Sequence, residues 1–464
     1  MAKRRNARPQ NASENVSLPE PFETPPPSPA VNPTGKFIVT FVEEAVGDSR
    51  AMNAALRDQT GAKSIAAAAD FSANESAMDA DADAVVFANL GIAVVEADPR
   101  GQQKMAAAAA NESSNILAVE PEGMMFAIGL SKEYLRGFRD AANKLYDQCD
   151  GEAPPAEDEA LAKELMETEA AAALTWGLNA VRANTSNFSG QGIKVAILDT
   201  GLDLNHPDFL QRSVTHKSFI PGQTAQDQNG HGTHCTGTSC GPLSPSNGTR
   251  YGIAHQALIF IGKVLSNLGS GPDTSILEGI SWAVTNGCQV ISMSLGSQRA
   301  PVVAYQQAGQ RALNAGCLII AAAGNDSKRS QGVIKSVSCP ANSGTIMAVA
   351  AVDRFLQVAN FSNRSSSVAG GKVDISGPGV AVLSSTPSNP AAVPVPPDFH
   401  QIKDKYDFMN GTSMATPHVA GCAALWCQAT GAKGAALYQR LVANARATSI
   451  PAIDGGTGLV QSPQ

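Results

Sequence analysis

Five nearly continuous apolar runs, separated by helical segments, most strongly constrain the fold of this 464-residue chain. They are IKVAILD (193–199), ALIFIGKVL (257–265), QVISMSL (289–295), CLIIAAAG (317–324) and IMAVAAVD (346–353). A strand that is apolar at nearly every position is buried on both faces, as in a parallel sheet between helices. From about Trp176 onwards, residues 176–464 are therefore predicted to form an α/β domain whose parallel sheet carries helices on both faces.

Residues 35–129 show a different pattern and predict a smaller α+β domain. The predicted elements are a strand KFIVTF (36–41), a helix around Arg50 to Gln59, a strand pair within 84–97, an alanine-rich helix near Gln102 to Ala110 and a strand ILAVEPE (116–122). The order βαββαβ is typical of a small split βαβ domain, the ferredoxin-like arrangement.

Three further segments have the composition of tails, linkers or loops. Residues 1–34 are rich in Pro, Asn and Ser, and such a segment buries too little apolar area to offset its chain entropy, so a disordered tail is predicted. Residues 130–175 combine a predicted helix at 131–148 with an acidic, self-repelling linker. The proline-rich stretch at 386–399 is predicted to be a surface loop.

The charge and cysteine content narrow the classes of partner and compartment. A formal charge of −7 removes the electrostatic reason to expect nucleic acid as a partner, because phosphate contacts need a basic face. No apolar stretch is long enough for a membrane span, and the basic start lacks the apolar region of a signal peptide. The eight cysteines form no CxxC pair, which favours free thiols and, with the missing signal, a reducing, cytoplasmic compartment. One or two disulfide bridges among them are the alternative.

Asp199 ends the first apolar run and begins the sequence Asp-Thr-Gly. A carboxylate at the carboxyl end of a buried strand lies where open α/β sheets bind ligands. An isolated Asp-Thr-Gly is more often a simple turn. It could also be half of an aspartic protease dyad, but the chain has no second DTG or DSG to share the proton.

The segment NGHGTHCTGTSCG (229–241) contains His231 and His234 among small residues, which allow tight packing beneath a reactive imidazole. The HxxH spacing also raises the alternative of a zinc hydrolase. That alternative is disfavoured because the Glu of HExxH and a matching acidic third ligand are missing. His234 is predicted to be a structural histidine.

Ser413 and Asn325 each lie where an apolar element begins or ends. Ser413 belongs to NGTSMATPHVAG (410–421), a turn that leads into an apolar helix, and unpaired amides at such a helix start stabilise a developing oxyanion. Asn325 follows a strand in AAAGND (321–326). Taken singly, these residues are an N-cap serine and a turn asparagine. Together with Asp199 and His231, they form one catalytic hypothesis.

Five segments resemble the successive signatures of the subtilases, in that family's order Asp, His, Asn, Ser. They are AILDTGLDLNHPDF, NGHGTHCTGT, ISMSLGS, AAAGND and NGTSMATPHVAG, and the resemblance extends over roughly residues 176–460. It implies a subtilisin-like serine endopeptidase fold and activity, in which Ser413 is the nucleophile, His231 the general base and Asp199 its orienting acid. Asn325 and the Ser413 amide would bind the oxyanion.

The same resemblance implies which residues bind a polypeptide substrate. Gly269, Ser270 and Gly271 would pair with the substrate backbone as an added strand. The pocket for the side chain before the scissile bond, S1, would be bordered by residues of two loops: Ser294, Leu295, Gly296, Ala323 and Gly324. Cleavage after bulky apolar residues is the family-level expectation, whereas Asp326 at the rim would favour basic side chains.

Residues 35–129 resemble the inhibitor-type propeptide of the subtilases, with NILAVEPEG as its closing strand. This implies a self-processed proenzyme whose N-terminal domain occupies the cleft until it is cleaved in the linker. A permanent accessory domain is the alternative. Such propeptides usually accompany export, which conflicts with the missing signal unless export uses another route.

The chemistry implied by the resemblance requires no cofactor, and calcium would be a structural ion only. Asp208 in HPDF matches a calcium ligand of many subtilases, although the segment SPSNGTRYGIA (244–254) does not supply the other oxygens. A catalytically silent peptide-binding protein of the same fold is the competing hypothesis. It is disfavoured because all four catalytic residues are present.

Overall fold

A computed structural model of the chain describes residues 34–128 and 173–464, apart from gaps at 72–74, 80, 98, 112, 368–370 and 389–404. The predicted tail, nearly all of the linker with its helix at 131–148, and most of the proline-rich insert lie outside the described residues.

The larger part of the described chain is built on a seven-stranded sheet in which every pairing is parallel. Its strands, in the order in which they lie side by side, are β15 (Ile375–Pro378), β14 (Met347–Val352), β13 (Leu318–Ala322), β11 (Val290–Met293), β7 (Lys194–Asp199), β9 (Leu258–Lys263) and β8 (Val214–Ser218). All five apolar runs lie in this sheet, which confirms the predicted fold class.

Helices cover both faces of this sheet because each strand sends alternate side chains to opposite sides. Val195 and Ile197 pack in one buried cluster with α4 (His231–Cys240) and α7 (Thr412–Thr430). Ala196 and Leu198 face the other cluster. The helices on that face are α5 (Asp273–Thr285) and α6 (Val303–Asn314).

The larger domain has further elements outside the central sheet and these four helices. They include the helices α3 (Trp176–Ala180), α8 (Gly434–Ala443) and α9 (Ala452–Gly455). A two-stranded ribbon pairs β16 (Val382–Ser385) with β17 (Tyr406–Met409).

The strand order reverses direction beside β7, because the chain adds β9 and β8 on one side of this strand and β11 on the other. At such a reversal the loops after neighbouring strands diverge and leave a crevice at the carboxyl ends of the strands. Asp199, the last residue of β7, lies at this crevice.

Residues 34–128 form a separate five-stranded sheet with the order β2-β3-β4-β1-β5. Its elements are β1 (Lys36–Phe41), α1 (Ser49–Thr60), β2 (Ile65–Ala67), β3 (Ala84–Phe87), β4 (Ile92–Glu96), α2 (Pro99–Ala109) and β5 (Ile116–Pro121). All six predicted elements are present, and their strand order is that of a ferredoxin-like sheet. The structure adds the short edge strand β2, which three residues are too few to predict from periodicity.

The N-terminal sheet packs between its own helices and the larger domain. One face, which includes Val39 and Phe41, packs with Met52 and Met105 of its helices. The opposite face, which includes Ile38 and Val94, shares a buried cluster with α5 and α6. The N-terminal domain therefore buries a whole sheet face against the larger domain.

Seven cysteines lie in the described residues, and all seven are free, buried thiols. Cys149 lies outside these residues. In the same described residues, no helix is both long enough and apolar enough to cross a membrane.

Candidate active site

Asp199 and His231 form a buried acid–imidazole pair at the crevice beside β7. The His231 Nδ1 atom lies 2.7 Å from Asp199 Oδ1. Asp199 is fully buried and His231 is only 6% exposed. The Thr200 amide donates to the same carboxylate oxygen at 2.7 Å, which fixes the carboxylate's orientation. The pair therefore has the geometry in which a carboxylate sets the tautomer and orientation of an imidazole.

The electrostatics of the pair favour the charged imidazole. Burial opposes a charge on His231, but the Asp199 carboxylate outweighs burial and raises the pKa of His231 well above its usual value. Burial raises the pKa of the Cys235 thiol, which keeps it neutral. An imidazole stabilised in this way is a good proton acceptor during a reaction.

His234 faces away from this pair. Its Nε2 atom lies 3.0 Å from the Val382 carbonyl and 3.2 Å from the Asp407 carbonyl. Burial and the nearby His231 lower the pKa of His234 to about 4. Because the two histidines have separate partners, the structure places His234 where a structural histidine was predicted and does not bring the HxxH pair together as a metal site.

Ser413 lies in the first turn of α7 and is fully buried. Gly411, just before the helix, has φ of 152°, a conformation that favours glycine. A Cβ atom at Gly411 would lie 2.9 Å from Asn325 Nδ2 and 3.1 Å from the Ile128 carbonyl oxygen. Glycine is therefore needed here for a carbonyl group to approach Ser413 and Asn325.

The carbonyl group of Ile128, at the end of the N-terminal domain, occupies the site. The Ser413 hydroxyl donates to this oxygen. The side-chain amide of Asn325 donates to the same oxygen at 3.1 Å. Asn325 is itself held by the Thr412 amide and hydroxyl, which both donate to its Oδ1 at 2.9 Å. A peptide carbonyl is thus bound by the two side chains that were predicted to act on one.

The Ser413 hydroxyl points towards the bound carbonyl and towards the Ser294 carbonyl, 3.2 Å away. The His231 Nε2 atom is buried and, within the described part of the chain, has no hydrogen-bond partner. A buried nitrogen without a partner is costly. Catalytic hydrogen bonds often form only when the reaction begins, and the bond between this nitrogen and the Ser413 hydroxyl stays a prediction.

The segment before Ile128 lies in the crevice as an added strand. Strand β6 (Met124–Ala127) pairs antiparallel with β10 (Ser270–Pro272) on one side and with β12 (Leu295–Gly296) on the other. The Ala127 amide donates to the Gly269 carbonyl at 2.8 Å, and the Ile128 amide donates to the Ser294 carbonyl at 3.1 Å. On one side β6 contacts the residues predicted to pair with a substrate backbone, Gly269, Ser270 and Gly271. On the other side its backbone pairs with residues predicted to border S1: Ser294, Leu295 and Gly296.

The side chain of Ile128 packs beside Gly296, where an added Cβ atom would come within 2.8 Å of Ile128 Cδ1. A bulky apolar side chain thus occupies the position predicted as S1. Gly324 is held by the Thr412 hydroxyl, and Ala323 by strand β14, so both support the loop of Asn325. Their contact with a substrate side chain stays a prediction.

The Asp326 carboxylate accepts hydrogen bonds from neighbouring side chains. Its Oδ2 atom accepts hydrogen bonds from Gln298 at 3.0 Å, Asn363 at 2.9 Å and Ser338 at 3.3 Å. A carboxylate held by three donors is less available to a basic substrate side chain, so the Asp326 hypothesis loses support.

Both oxygens of the Asp208 carboxylate, the candidate calcium ligand, are held by protein donors. Asp208 Oδ1 accepts from the Ser246 amide and hydroxyl at 2.8 and 2.9 Å. Oδ2 accepts from the hydroxyls of Tyr251 and Tyr406 at 2.6 and 2.9 Å. Calcium requires six to eight oxygen ligands, whereas four protein donors surround this carboxylate. The residues around Asp208 therefore do not fit a calcium ion.

The substitution Asp208→Asn is expected to destabilise the protein equally with calcium and with a chelator. It weakens the charge-assisted hydrogen bonds from the hydroxyls of Tyr251, Tyr406 and Ser246, and such a bond contributes roughly 1.5–3 kcal/mol. The free energy of unfolding is measured by denaturant in a Ser413→Ala background, which prevents self-digestion. Destabilisation that appears only in calcium would restore the calcium interpretation.

Sequence reasoning missed two charged residues behind the pair, Asp227 and Lys263. Asp227 is 2% exposed and accepts from the Thr200 hydroxyl at 3.0 Å and the Thr233 hydroxyl at 2.7 Å. Lys263 is fully buried and donates to the Thr200 carbonyl. One signal was available, because a lysine within the apolar run ALIFIGKVL requires a buried partner.

An acid, an imidazole, an amide and a hydroxyl at the carboxyl edge of one doubly covered parallel sheet define the subtilisin-like class of α/β proteins. The model of the Subtilase family, peptidase family S8, matches residues 190–459, and the chain belongs to this family.

Curated relatives agree with this assignment. The chain is 40% identical over 262 residues to an alkaline protease of Alkalihalobacillus alcalophilus, which covers 56% of this chain and 60% of the relative. It is 40% identical over 259 residues to Subtilisin Savinase of Lederbergia lenta, covering 55% of this chain and 84% of the relative. Subtilisin E of Bacillus subtilis is 37% identical over 262 residues, with 55% and 62% covered. The match thus spans less than two thirds of some relatives.

Proposed function

We propose that this chain is a serine endopeptidase that hydrolyses peptide bonds of polypeptides through an acyl-enzyme. The observation that carries the proposal is the peptide carbonyl of Ile128, held by the Ser413 hydroxyl and the Asn325 amide. The buried Asp199–His231 pair belongs to the same site. The relatives named as proteases support the same activity.

The proposed reaction uses side chains and water only. Ser413 Oγ attacks the carbonyl carbon while its proton passes to His231 Nε2, and the tetrahedral oxyanion is held by the Asn325 amide. The carbon–nitrogen bond breaks as His231 returns the proton to the leaving amine. Water then repeats the sequence on the acyl group and frees Ser413. Asp199 stabilises the imidazolium in both halves.

A fluorophosphonate probe tests this function, because only an activated serine reacts with it appreciably. The processed protein is expected to gain one label, on the peptide that contains Ser413. Ser413→Ala and chelator-treated wild type are the controls, and the second should label normally. A processed wild-type chain that stays unlabelled would favour the silent peptide-binding protein.

We further propose that residues 34–128 act as an intramolecular inhibitor and that the enzyme cuts its own chain between Ile128 and Gly129. This is the bond that follows the carbonyl bound at Ser413. The antiparallel pairing of β6 on both sides supports the proposal, since an extended strand is how a substrate backbone would bind.

Two glutamates next to this strand support the inhibitor assignment. Glu120 accepts from the first amides of α6, Val303 at 2.9 Å and Ala304 at 3.2 Å. Glu122 accepts from the Thr274 amide at the start of α5, at 2.8 Å. Negative side chains at helix N-termini are stabilising, so both contacts hold the domain over the crevice.

The substitution Met125→Ala is expected to slow self-cleavage at least about tenfold, whereas Phe126→Ala should change it little. Met125 is fully buried in the crevice, and removing such a side chain costs at least about 2 kcal/mol. Phe126, its neighbour on the same strand, is 43% exposed and serves as the matched control. The rate is followed by mass spectrometry of the released fragments.

The same spectra locate the cleaved bond. A new N-terminus at Gly129 is the expected product. First cleavage elsewhere in the chain, or equal rates for Met125→Ala and Phe126→Ala, would contradict the assignment of β6 as the bound substrate strand.

A further inference from the structure

Lys263 is a fully buried lysine directly beside the acid of the triad. It ends strand β9, and its Cα partner in the neighbouring parallel strand β7 is Asp199. Paired residues of adjacent strands project to the same side of a sheet. A lysine is almost never fully buried without a specific partner, so this position requires an explanation.

Thr200 connects the Lys263 ammonium to two carboxylates. Lys263 Nζ donates to the Thr200 carbonyl. The Thr200 amide donates to Asp199 Oδ1 at 2.7 Å, and its hydroxyl donates to Asp227 Oδ1 at 3.0 Å. One residue therefore holds the lysine, the triad acid and a second buried acid in a single hydrogen-bonded group.

The charges in this group compensate one another only when all members are present. Asp199 and Asp227 are buried carboxylates, at 0% and 2% exposure, and Lys263 is the buried cation coupled to both. Two carboxylates and one ammonium leave a single negative charge, which an imidazolium at His231 neutralises. Without the ammonium, two negative charges would face His231.

We propose that Lys263 is a positioning residue of the triad, whose buried ammonium holds the Thr200 carbonyl and offsets the combined charge of Asp199 and Asp227. The inference rests on the proposed peptidase function. Lys263 contacts neither substrate nor nucleophile, and it acts through Thr200 and Asp199 on His231.

The pH dependence of catalysis follows from this arrangement. His231 must be neutral to accept the Ser413 proton, so activity rises with pH through the His231 pKa. Among the described residues, the titratable groups coupled to His231 are Asp199, Cys235 and His234. Removing the Lys263 ammonium increases the negative potential at Asp199, which stabilises the imidazolium and raises the His231 pKa. The acid limb of kcat/KM must then move to higher pH.

At alkaline pH, Lys263 itself loses its positive charge. Burial lowers the pKa of Lys263 to about 8, although Asp227 and Asp199 favour its charged form. Above that pH the ammonium deprotonates and its compensation is lost. This loss is absent from a variant without an ionisable group at 263.

The test measures kcat/KM against pH for the processed wild type, Lys263→Met and Lys263→Arg. In Lys263→Met the acid limb is expected to move up by about one pH unit, equivalent to about tenfold lower activity on that limb. Lys263→Arg keeps the charge and should keep the midpoint of the acid limb.

Lys217→Met is the matched control, because Lys217 is a buried lysine on adjacent strand β8 that pairs with Glu278 at 3.5 Å. Its midpoint should stay at the wild-type value.

Asp227→Asn provides an independent reading if Lys263→Met fails to fold. This substitution removes one negative charge near His231, so the acid limb of kcat/KM should move to lower pH. Midpoints at the wild-type value in every folded variant, or an equal shift in Lys217→Met, would overturn the role of Lys263. A wild-type protein without peptidase activity would instead overturn the proposed function.

Discussion

Replacement of Ser413 by alanine is expected to leave the chain intact at 47.9 kDa after incubation, while the wild-type chain separates after Ile128. The hydroxyl that contacts the Ile128 carbonyl is lost, and no acyl-enzyme can form. Hydrolysis of added peptides should fall by at least about 10³-fold, because the residual oxyanion contacts provide only part of the catalysis. Intact-mass spectrometry of both proteins makes the comparison.

Ser330→Ala is the control for this experiment, since Ser330 is an exposed serine outside the crevice. It should process like wild type. If Ser413→Ala were cut at the same bond and rate, a contaminating protease or another nucleophile would be responsible. If neither wild type nor mutant were cut, the permanent accessory domain would be favoured.

Replacement of Asn325 by leucine is expected to reduce kcat by about 10²–10³-fold with little change in KM, the magnitude known for one such donor in a subtilisin. The Asn325 amide donates to the Ile128 carbonyl at 3.1 Å, and this bond strengthens as negative charge develops on the oxygen. Steady-state kinetics on a peptide substrate separates kcat from KM.

Thr412→Val provides the comparison for Asn325→Leu. Thr412 holds Asn325 Oδ1 through its hydroxyl and its amide, and the variant removes only the first. Its loss of kcat should be smaller because Asn325 keeps its donor. A decrease below tenfold in Asn325→Leu, or a change confined to KM, would show that the amide does not stabilise the transition state.

The parallel sheet was predictable because its central strands are apolar on both faces. Strands β7, β11, β13 and β14 are buried at nearly every residue, and each appears as a continuous apolar run. The edge strand β8 was not predicted. Its sequence VTHKS is polar and largely accessible. A strand at the edge of a sheet has only one neighbouring strand, so fewer of its side chains must be apolar.

Asp208 shows what a local pattern leaves out. The segment HPDF is a good match to a family signature, but one oxygen of its carboxylate is held by two distant hydroxyls, those of Tyr251 and Tyr406. These lie 43 and 198 residues away along the chain. Motif similarity describes the carboxylate and not the groups that the fold places around it.

The sequence by itself determined the fold class and the placement of Asp199, His231, Asn325 and Ser413 at the ends of elements. Burial periodicity and turn chemistry act over a few residues, so local pattern carries this information. Tertiary structure alone decided that the Ile128 carbonyl, 285 residues from Ser413, occupies the site, and that Lys263 lies behind the triad acid. Such contacts depend on how separate strands pair and domains dock, and no local periodicity records a pairing between distant segments.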